Sequence, residues 1–172
     1  MSKLQEIINR HTHALPLMER IYSSQLPNPQ KIVEEAGLNG VAELFNEIAT
    51  ISTERDRLDR EGEVNCDELD DYWRAAFRLA SLIPYQARLY PKEILKGLSN
   101  ESEEVRFYVA YSLEKAPFRG ALPFLKNALK IEPIELNIRI ITSAIQACSS
   151  FKLCGREFMQ KVMNNPIPWG SA

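Results

Sequence analysis

An arginine that follows a bulky apolar residue recurs at near-constant spacing along the second half of this chain. The three copies are Trp73-Arg74, Val105-Arg106 and Ile138-Arg139, which places the arginines 32 and 33 residues apart. Each copy lies early in a segment of helical apolar periodicity, and another apolar helical run follows about 20 residues later. A period of this length is that of a helix pair and is typical of stacked α-helical arrays. Such arrays present a surface to a partner, so the period favours binding over catalysis.

The size and charge of the chain limit the kinds of partner that it can have. Its 172 residues, 45% of them apolar, are enough for one domain with its own core. The formal charge of −2 provides no overall basic surface, which nucleic-acid phosphates would require. We therefore expect a single helical domain over residues 1–172 with a protein partner and no nucleic-acid partner.

The cysteines and the N-terminus predict a cytoplasmic protein with no membrane association. Three cysteines form an odd set without C-x-x-C spacing, which disfavours a disulfide framework and a zinc site. Glu6 interrupts the region where a secretory signal would have its apolar core. The sequence also has no run near the roughly 20 apolar residues that cross a bilayer.

The apolar pattern predicts helices throughout, because few segments alternate as strands do. Gly37 and Gly62 follow helical patterns as candidate left-handed caps. The pattern over residues 67–83 predicts one helix with Trp73 on its apolar face, ended by Pro84. The expected fold class is therefore all-α.

The central copy of the repeat carries the clearest motif. Ser102 is a candidate N-cap, and Glu103-Glu104-Val105-Arg106 follows it, with Ala110 and Leu113 farther along the helix. This segment resembles HEAT-like repeats, and the resemblance extends over residues 67–165. It implies that an acidic residue opens the first helix of each pair and that the arginine ties neighbouring repeats together.

The resemblance implies antiparallel helix pairs stacked as a short, right-handed HEAT-like array. About three pairs would occupy residues 67–165, with second helices at 94–98, 124–129 and 158–163. Residues 1–60 fit the pattern poorly and are expected to form an irregular N-terminal helical cap over the first repeat. Pro166 and Pro168 predict an extended tail over residues 166–172. The alternative is a helical bundle in which the spacing arises by chance.

No arrangement of residues predicts a catalytic centre, a metal site or a cofactor. His11 and His13 are two residues apart, so on a helix they point in different directions and do not share a metal easily. The seven glycines are scattered singly and form no phosphate-binding loop. The cysteines lack the histidine and acid of a recognisable nucleophile motif. The three repeated arginines suit either an anion-binding ladder or, as we expect, ion pairs inside the array.

The most asymmetric segment is acidic and has no basic residue between positions 61 and 71. Its six carboxylates are those of Glu61, Glu63, Asp67, Glu68, Asp70 and Asp71. One interpretation is a solvated connector followed by a helix start, where the dipole favours anions. The functional interpretation is a surface that attracts a basic protein. Tyr108 and Tyr111 are further candidate contact residues, with packing in the core as the alternative.

These features predict a noncatalytic protein-binding module. In size, charge and architecture the chain resembles some bacterial immunity proteins, which cover the active site of a cognate nuclease toxin with acidic groups. If the resemblance holds, the acidic segment would mimic phosphates toward a basic toxin domain. The alternatives are a HEAT-like nucleic-acid-binding or DNA-repair enzyme, which would need a basic groove, and a scaffold subunit of a cytoplasmic complex.

Overall fold

A computed structural model describes residues 1–13, 26–62 and 65–150, apart from the side chain of Cys66. Every regular element in these ranges is helical, which confirms the all-α expectation for this part of the chain. The α-helices are α1 (Lys3–Thr12), α2 (Pro29–Ala36), α3 (Asn39–Glu61), α4 (Cys66–Ala80), α5 (Ile83–Leu89), α6 (Pro91–Lys96), α7 (Glu103–Lys115), α8 (Leu122–Ile131) and α9 (Glu135–Ser150), with 3-10 turns at Gly97–Ser99 and Arg119–Ala121. The predicted second helix at 158–163 and the predicted tail at 166–172 lie outside the described residues.

Several helix ends follow the sequence signals. Gly37 and Gly62 end α2 and α3 with φ of 66° and 64°, in the left-handed region that a side chain disfavours. Ser102 caps α7 through its hydroxyl, which accepts a hydrogen bond from the Val105 amide. The prediction that Pro84 ends the helix at 67–83 was wrong, because α4 ends at Ala80 and Pro84 lies in the first turn of α5. A first-turn proline costs little, since its missing N–H has no partner there.

The chain divides into two compact units, Met1–Gln86 and Ala87–Ala172. The N-terminal unit contains α1 to α4, with fully buried aliphatic side chains such as Leu4, Ile32, Leu44 and Ile48. The boundary falls inside the first predicted helix pair, between its first helix at 67–83 and its second helix at 94–98. The single-domain organisation, with a cap over residues 1–60, stays a prediction.

Polar contacts fix α1 against its neighbours in the N-terminal unit. The Leu4 amide donates a 2.6 Å hydrogen bond to the carboxylate of Glu43 on α3. Farther along α1, His11 Nε2 and Arg10 Nη2 lie 2.9 and 3.1 Å from the Glu35 carboxylate on α2. The hydrogen bond from His11 and the charge of Arg10 hold the pKa of Glu35 below its ordinary value, although partial desolvation opposes them. These contacts connect α1 to both α2 and α3.

In the C-terminal unit, α7 and α9 pack side by side and run parallel. Near the start of both helices, Asn137 Nδ2 donates to the Glu103 carbonyl at 3.1 Å. Near their ends, the buried thiol of Cys148 lies 3.8 Å from the Leu113 carbonyl. The paired positions are separated by 34 and 35 residues in sequence, close to the arginine period. The period therefore corresponds to two adjacent, parallel helices within this unit.

Candidate protein-binding surface

The acidic segment lies on a helical hairpin made by α3 and α4. Gly62 ends α3, and α4 begins after Asn65, so the two helices pack antiparallel across a short connector. The Asn65 side chain accepts a hydrogen bond from the Glu68 amide at 3.0 Å, and the Glu68 carboxylate accepts one from the Asn65 amide at 3.2 Å. This capping box satisfies two backbone donors and fixes the start of α4. It thereby sets the direction in which the acidic residues of α4 point.

Several of the predicted carboxylates already have partners within the hairpin. Glu61 forms an ion pair with Arg57 on the preceding turn of α3. Asp71 forms one with Arg74 at 3.3 Å, three residues farther along α4. Glu68 belongs to the capping box. These three groups are exposed, but part of their charge is compensated locally.

Asp67 and Asp70 differ from the other predicted acids. Both side chains are exposed and, among the residues that the structure describes, neither forms an ion pair or a hydrogen bond. They lie three residues apart and therefore on the same side of α4. Glu63 lies outside the described residues. Among the described residues of the acidic segment, Asp67 and Asp70 are therefore the carboxylates without a partner inside the chain.

Trp73 lies three residues beyond Asp70 on α4 and is therefore its neighbour on the helix surface. Trp73 lies on the side of α4 that packs against α3, in agreement with the apolar pattern, but 46% of its surface is exposed. The guanidinium carbon of Arg55, on α3, lies 3.8 Å from the centroid of the Trp73 ring. Arg55 is itself 8% exposed and donates two hydrogen bonds to the carboxylate of Asp56. We call Asp67, Asp70 and Trp73 the α4 stripe.

Sequence reasoning missed Arg55, although a signal for it exists. Arg55 lies seven residues before Gly62, and Trp73 lies seven residues after Cys66. In an antiparallel hairpin, positions at equal distances from the connector lie opposite each other. Once the two helices and their connector are assigned, the Arg55 and Trp73 pair therefore follows.

The hairpin concentrates negative charge relative to the rest of the chain. Between Glu54 and Arg74 the sequence has nine acidic residues and four arginines. The segment thus has a formal charge of −5, whereas the whole chain has −2. The potential around the α4 stripe is therefore negative, and it favours a positively charged partner.

The two candidate tyrosines lie in the C-terminal unit and differ in burial. Tyr108 is 3% exposed, so its ring packs in the core and the prediction that it contacts a partner was wrong. Its position on α7 turns it inward together with Val105 and Val109. Tyr111 is partly exposed, and its ring stacks on Phe107 with centroids 6.0 Å apart. Tyr111 remains a candidate contact residue.

The three repeated arginines do not share one role. Arg106 donates two hydrogen bonds to Glu132 and two more to backbone carbonyl groups. The bond to Glu132 raises the pKa of Arg106, although burial opposes it. Arg74 and Arg139 are exposed and pair with acids on their own helices. The expected internal ion pair therefore exists at Arg106, and the spacing does not create an anion-binding ladder.

Arg106 also lines a shallow cavity of about 320 Å³ in the C-terminal unit, with Leu98, Ile131 and Pro133. Its hydrogen bonds to protein groups leave little donor capacity for an anion there. Elsewhere in the described ranges, no three His, Cys, Asp or Glu side chains come together to hold a metal ion. The best-supported chemistry is therefore that of the exposed α4 stripe.

The comparisons with known proteins provide no family assignment: no family model, no curated protein and no solved structure matches the chain. Among the described helices, none is both long enough and apolar enough to cross a membrane.

Proposed function

We propose that this chain is a noncatalytic protein-binding module that contacts a basic partner through α4. The observation that carries the proposal is the exposure of Asp67 and Asp70 on one side of a helix, without ion pairs among the described residues. The capping box of Asn65 and Glu68 holds that helix in place. A partner therefore meets carboxylates whose positions on the helix are already set.

Exposed charges act mainly on the rate at which two proteins associate. An exposed carboxylate gains little from a single ion pair in water. A group of like charges, however, raises the rate at which an oppositely charged protein arrives in the correct orientation. The formal charge of −5 over residues 54–74 supports this role.

The particular form that we propose is a cytoplasmic immunity protein that neutralises a basic nuclease toxin. Its support is the resemblance in size, charge and helical architecture, together with the exposed carboxylates of α4. In this proposal Asp67 and Asp70 occupy positions that nucleic-acid phosphates would take in the toxin's cleft. In this proposal a HEAT-like stack serves as the rigid support for the acidic surface. The parallel packing of α7 and α9 supports such a stack, because equivalent helices of neighbouring repeats would pack in this way.

The proposal is tested by affinity purification from the native cell with three baits. We expect the wild-type chain to retain a basic protein that the Asp67→Lys, Asp70→Lys variant loses. A control variant, Glu6→Lys with Glu34→Lys, changes the net charge equally on exposed acids of α1 and α2. Retention of the same proteins by all three baits would contradict a role for α4.

Nucleic-acid binding is the main competing function, and one titration separates it. Fluorescently labelled single- and double-stranded DNA and RNA are titrated with the chain at low salt, where phosphate contacts are strongest. We expect no saturable binding. Tight binding to any of these nucleic acids would overturn the proposal.

A further inference from the structure

The Trp73 ring is held in place before any partner arrives. Arg55 covers part of it at 3.8 Å, and Asp56 holds the guanidinium group with two hydrogen bonds. Nevertheless 46% of the Trp73 surface is exposed. The exposed part lies away from Arg55, since the guanidinium group excludes solvent from the area it covers. A large aromatic surface is thus presented to solvent with restricted side-chain motion.

We propose that Trp73 is the anchor of the α4 stripe and receives an arginine side chain of the basic partner. This inference rests on the proposed function and adds the contact that gives it specificity. Asp70 lies three residues before Trp73 and therefore beside it on the helix surface. A guanidinium group that stacks on an indole while bonding a neighbouring carboxylate uses both its planar face and its N–H donors.

Charge complementarity identifies the occupant as a cation. The hairpin has an excess of carboxylates, and those of Asp67 and Asp70 are exposed and have no ion pair among the described residues. Arg55 does not repel an incoming cation strongly, because Asp56 compensates its charge. An apolar occupant would leave Asp70 beside a desolvated surface without a partner, which is costly.

Arginine fits this surface better than lysine. Its planar group matches the indole face and still directs N–H donors toward a carboxylate, whereas an ammonium group is compact and strongly hydrated. A ring that is already ordered also loses little conformational entropy on binding. Tryptophan and arginine are accordingly enriched among the residues that dominate interface energies.

The probe for the test is a synthetic peptide of alternating arginine and alanine, with a lysine peptide of equal length and charge for comparison. The chain has two tryptophans, Trp73 and Trp169, so Trp169→Phe leaves Trp73 as the single fluorescent reporter. We expect the arginine peptide to change the Trp73 emission in a saturable way and to bind more tightly than the lysine peptide. An acidic peptide of glutamate and alanine should have no effect.

Binding of labelled peptide, measured by fluorescence anisotropy, tests the side chain itself. We expect Trp73→Ala to weaken the arginine peptide about tenfold, which corresponds to a partly desolvated cation–π contact. Trp73→Phe should lose less, because an aromatic face remains. The matched control is Phe124→Ala, which removes an exposed aromatic residue from the C-terminal unit and should change nothing. Circular dichroism confirms that each variant is folded.

Arg55 is assigned as a positioning residue, and its own readout is the emission spectrum of Trp73. Arg55→Lys keeps the charge but removes the planar contact, so we expect a shifted emission spectrum and weaker binding of the arginine peptide at unchanged helix content. Unchanged emission and affinity would contradict this role.

The outcomes distinguish the anchor from the acidic surface as a whole. In one outcome, Asp67→Asn, Asp70→Asn weakens binding of the arginine peptide while Trp73→Ala does not. That result would contradict the role of Trp73 as the anchor and would still support the acidic surface as the binding site. Equal affinity for the arginine and lysine peptides in wild type would also overturn the anchor. If the wild-type chain binds neither basic peptide at low salt, the anchor and the proposed function both fail.

Discussion

Arg106 and Glu132 form a two-point ion pair in which Nε and Nη2 lie 2.7 and 2.9 Å from the two carboxylate oxygens. Their side chains are only 13% and 1% exposed. Arg106 lies on α7, whereas Glu132 follows the last residue of α8. The Ile134 amide also donates to Glu132, at 3.2 Å. The pair therefore fixes the connector that leads into α9.

Removal of the Glu132 carboxylate is expected to destabilise the C-terminal unit. Glu132→Ala leaves the partly buried charge of Arg106 without its partner, and breaking a buried pair in this way costs about 3 kcal/mol. The control is Glu135→Ala, which removes an ion pair with Arg139 that is exposed on both sides and should cost almost nothing. Urea denaturation measures both free energies of unfolding. Equal losses would contradict a special role for Glu132.

The stability of the same unit should depend on pH. Burial alone would raise the pKa of Glu132, but hydrogen bonds from Arg106, the Ile134 amide and Asn137 outweigh burial and lower it below its ordinary value. A folded-state pKa below the unfolded value of about 4.3 stabilises the protein above that pH. This stabilisation is lost as the pH falls through the folded-state pKa.

The pH series compares wild type with Glu132→Gln, which does not titrate. We expect the difference in unfolding free energy between wild type and Glu132→Gln to be largest near neutral pH and to decrease progressively below about pH 4. Denaturant titrations at several pH values measure it. A difference that stays constant down to the acid end would mean that Glu132 does not stabilise the unit as a carboxylate.

Glu43 is expected to stabilise the first turn of α1. Its carboxylate accepts the Leu4 amide hydrogen at 2.6 Å across the N-terminal unit. Glu43→Gln weakens a charge-assisted bond, so we expect a loss of about 1 kcal/mol and faster hydrogen exchange at the Leu4 amide. Glu47→Gln, one turn farther along α3, is the control and should leave that exchange rate unchanged. Identical exchange in both variants would refute the role of Glu43.

Asn65 is expected to stabilise the start of α4 in the α3 and α4 hairpin. Asn65→Ala removes one half of the capping box and should cost about 1 kcal/mol. Asn65→Ser keeps a cap and should lose less. Thermal unfolding of the N-terminal unit measures the order of the two variants. If the alanine and serine variants unfold at the same temperature, the cap is not what holds this helix start.

The fold was predictable where the signal is local. Gly62, Ser102 and the apolar periodicity define helix ends and faces within a few residues, so the helical class and many boundaries follow from sequence. The difference between the ion pairs of Arg106 and Arg139 could not be predicted from the sequence. Both follow a bulky apolar residue, but Glu132 lies 26 residues from Arg106 and reaches it only after α8 has folded back. The spacing of the arginines therefore carries no information about a partner that is distant in sequence.

The candidate surface was predictable in part for the same reason. Composition identified the acidic segment, but only the folded hairpin distinguishes Asp70, exposed without an ion pair, from Asp71, which pairs with Arg74. Trp73 fits an apolar helical pattern, which predicts the helix face but not how much of the ring is buried. Its exposure depends on the opposite helix, where Arg55 takes the place of an aliphatic neighbour.

The central claim is that Asp67 and Asp70 attract a basic partner. The most direct measurement is the association rate constant of the basic protein retained by the wild-type bait, determined by biolayer interferometry at low and at physiological salt. We expect Asp67→Asn, Asp70→Asn to lower this rate by about tenfold at low salt, with a smaller difference as salt screens the charges. The same rate constants and the same salt dependence in both proteins would contradict the account.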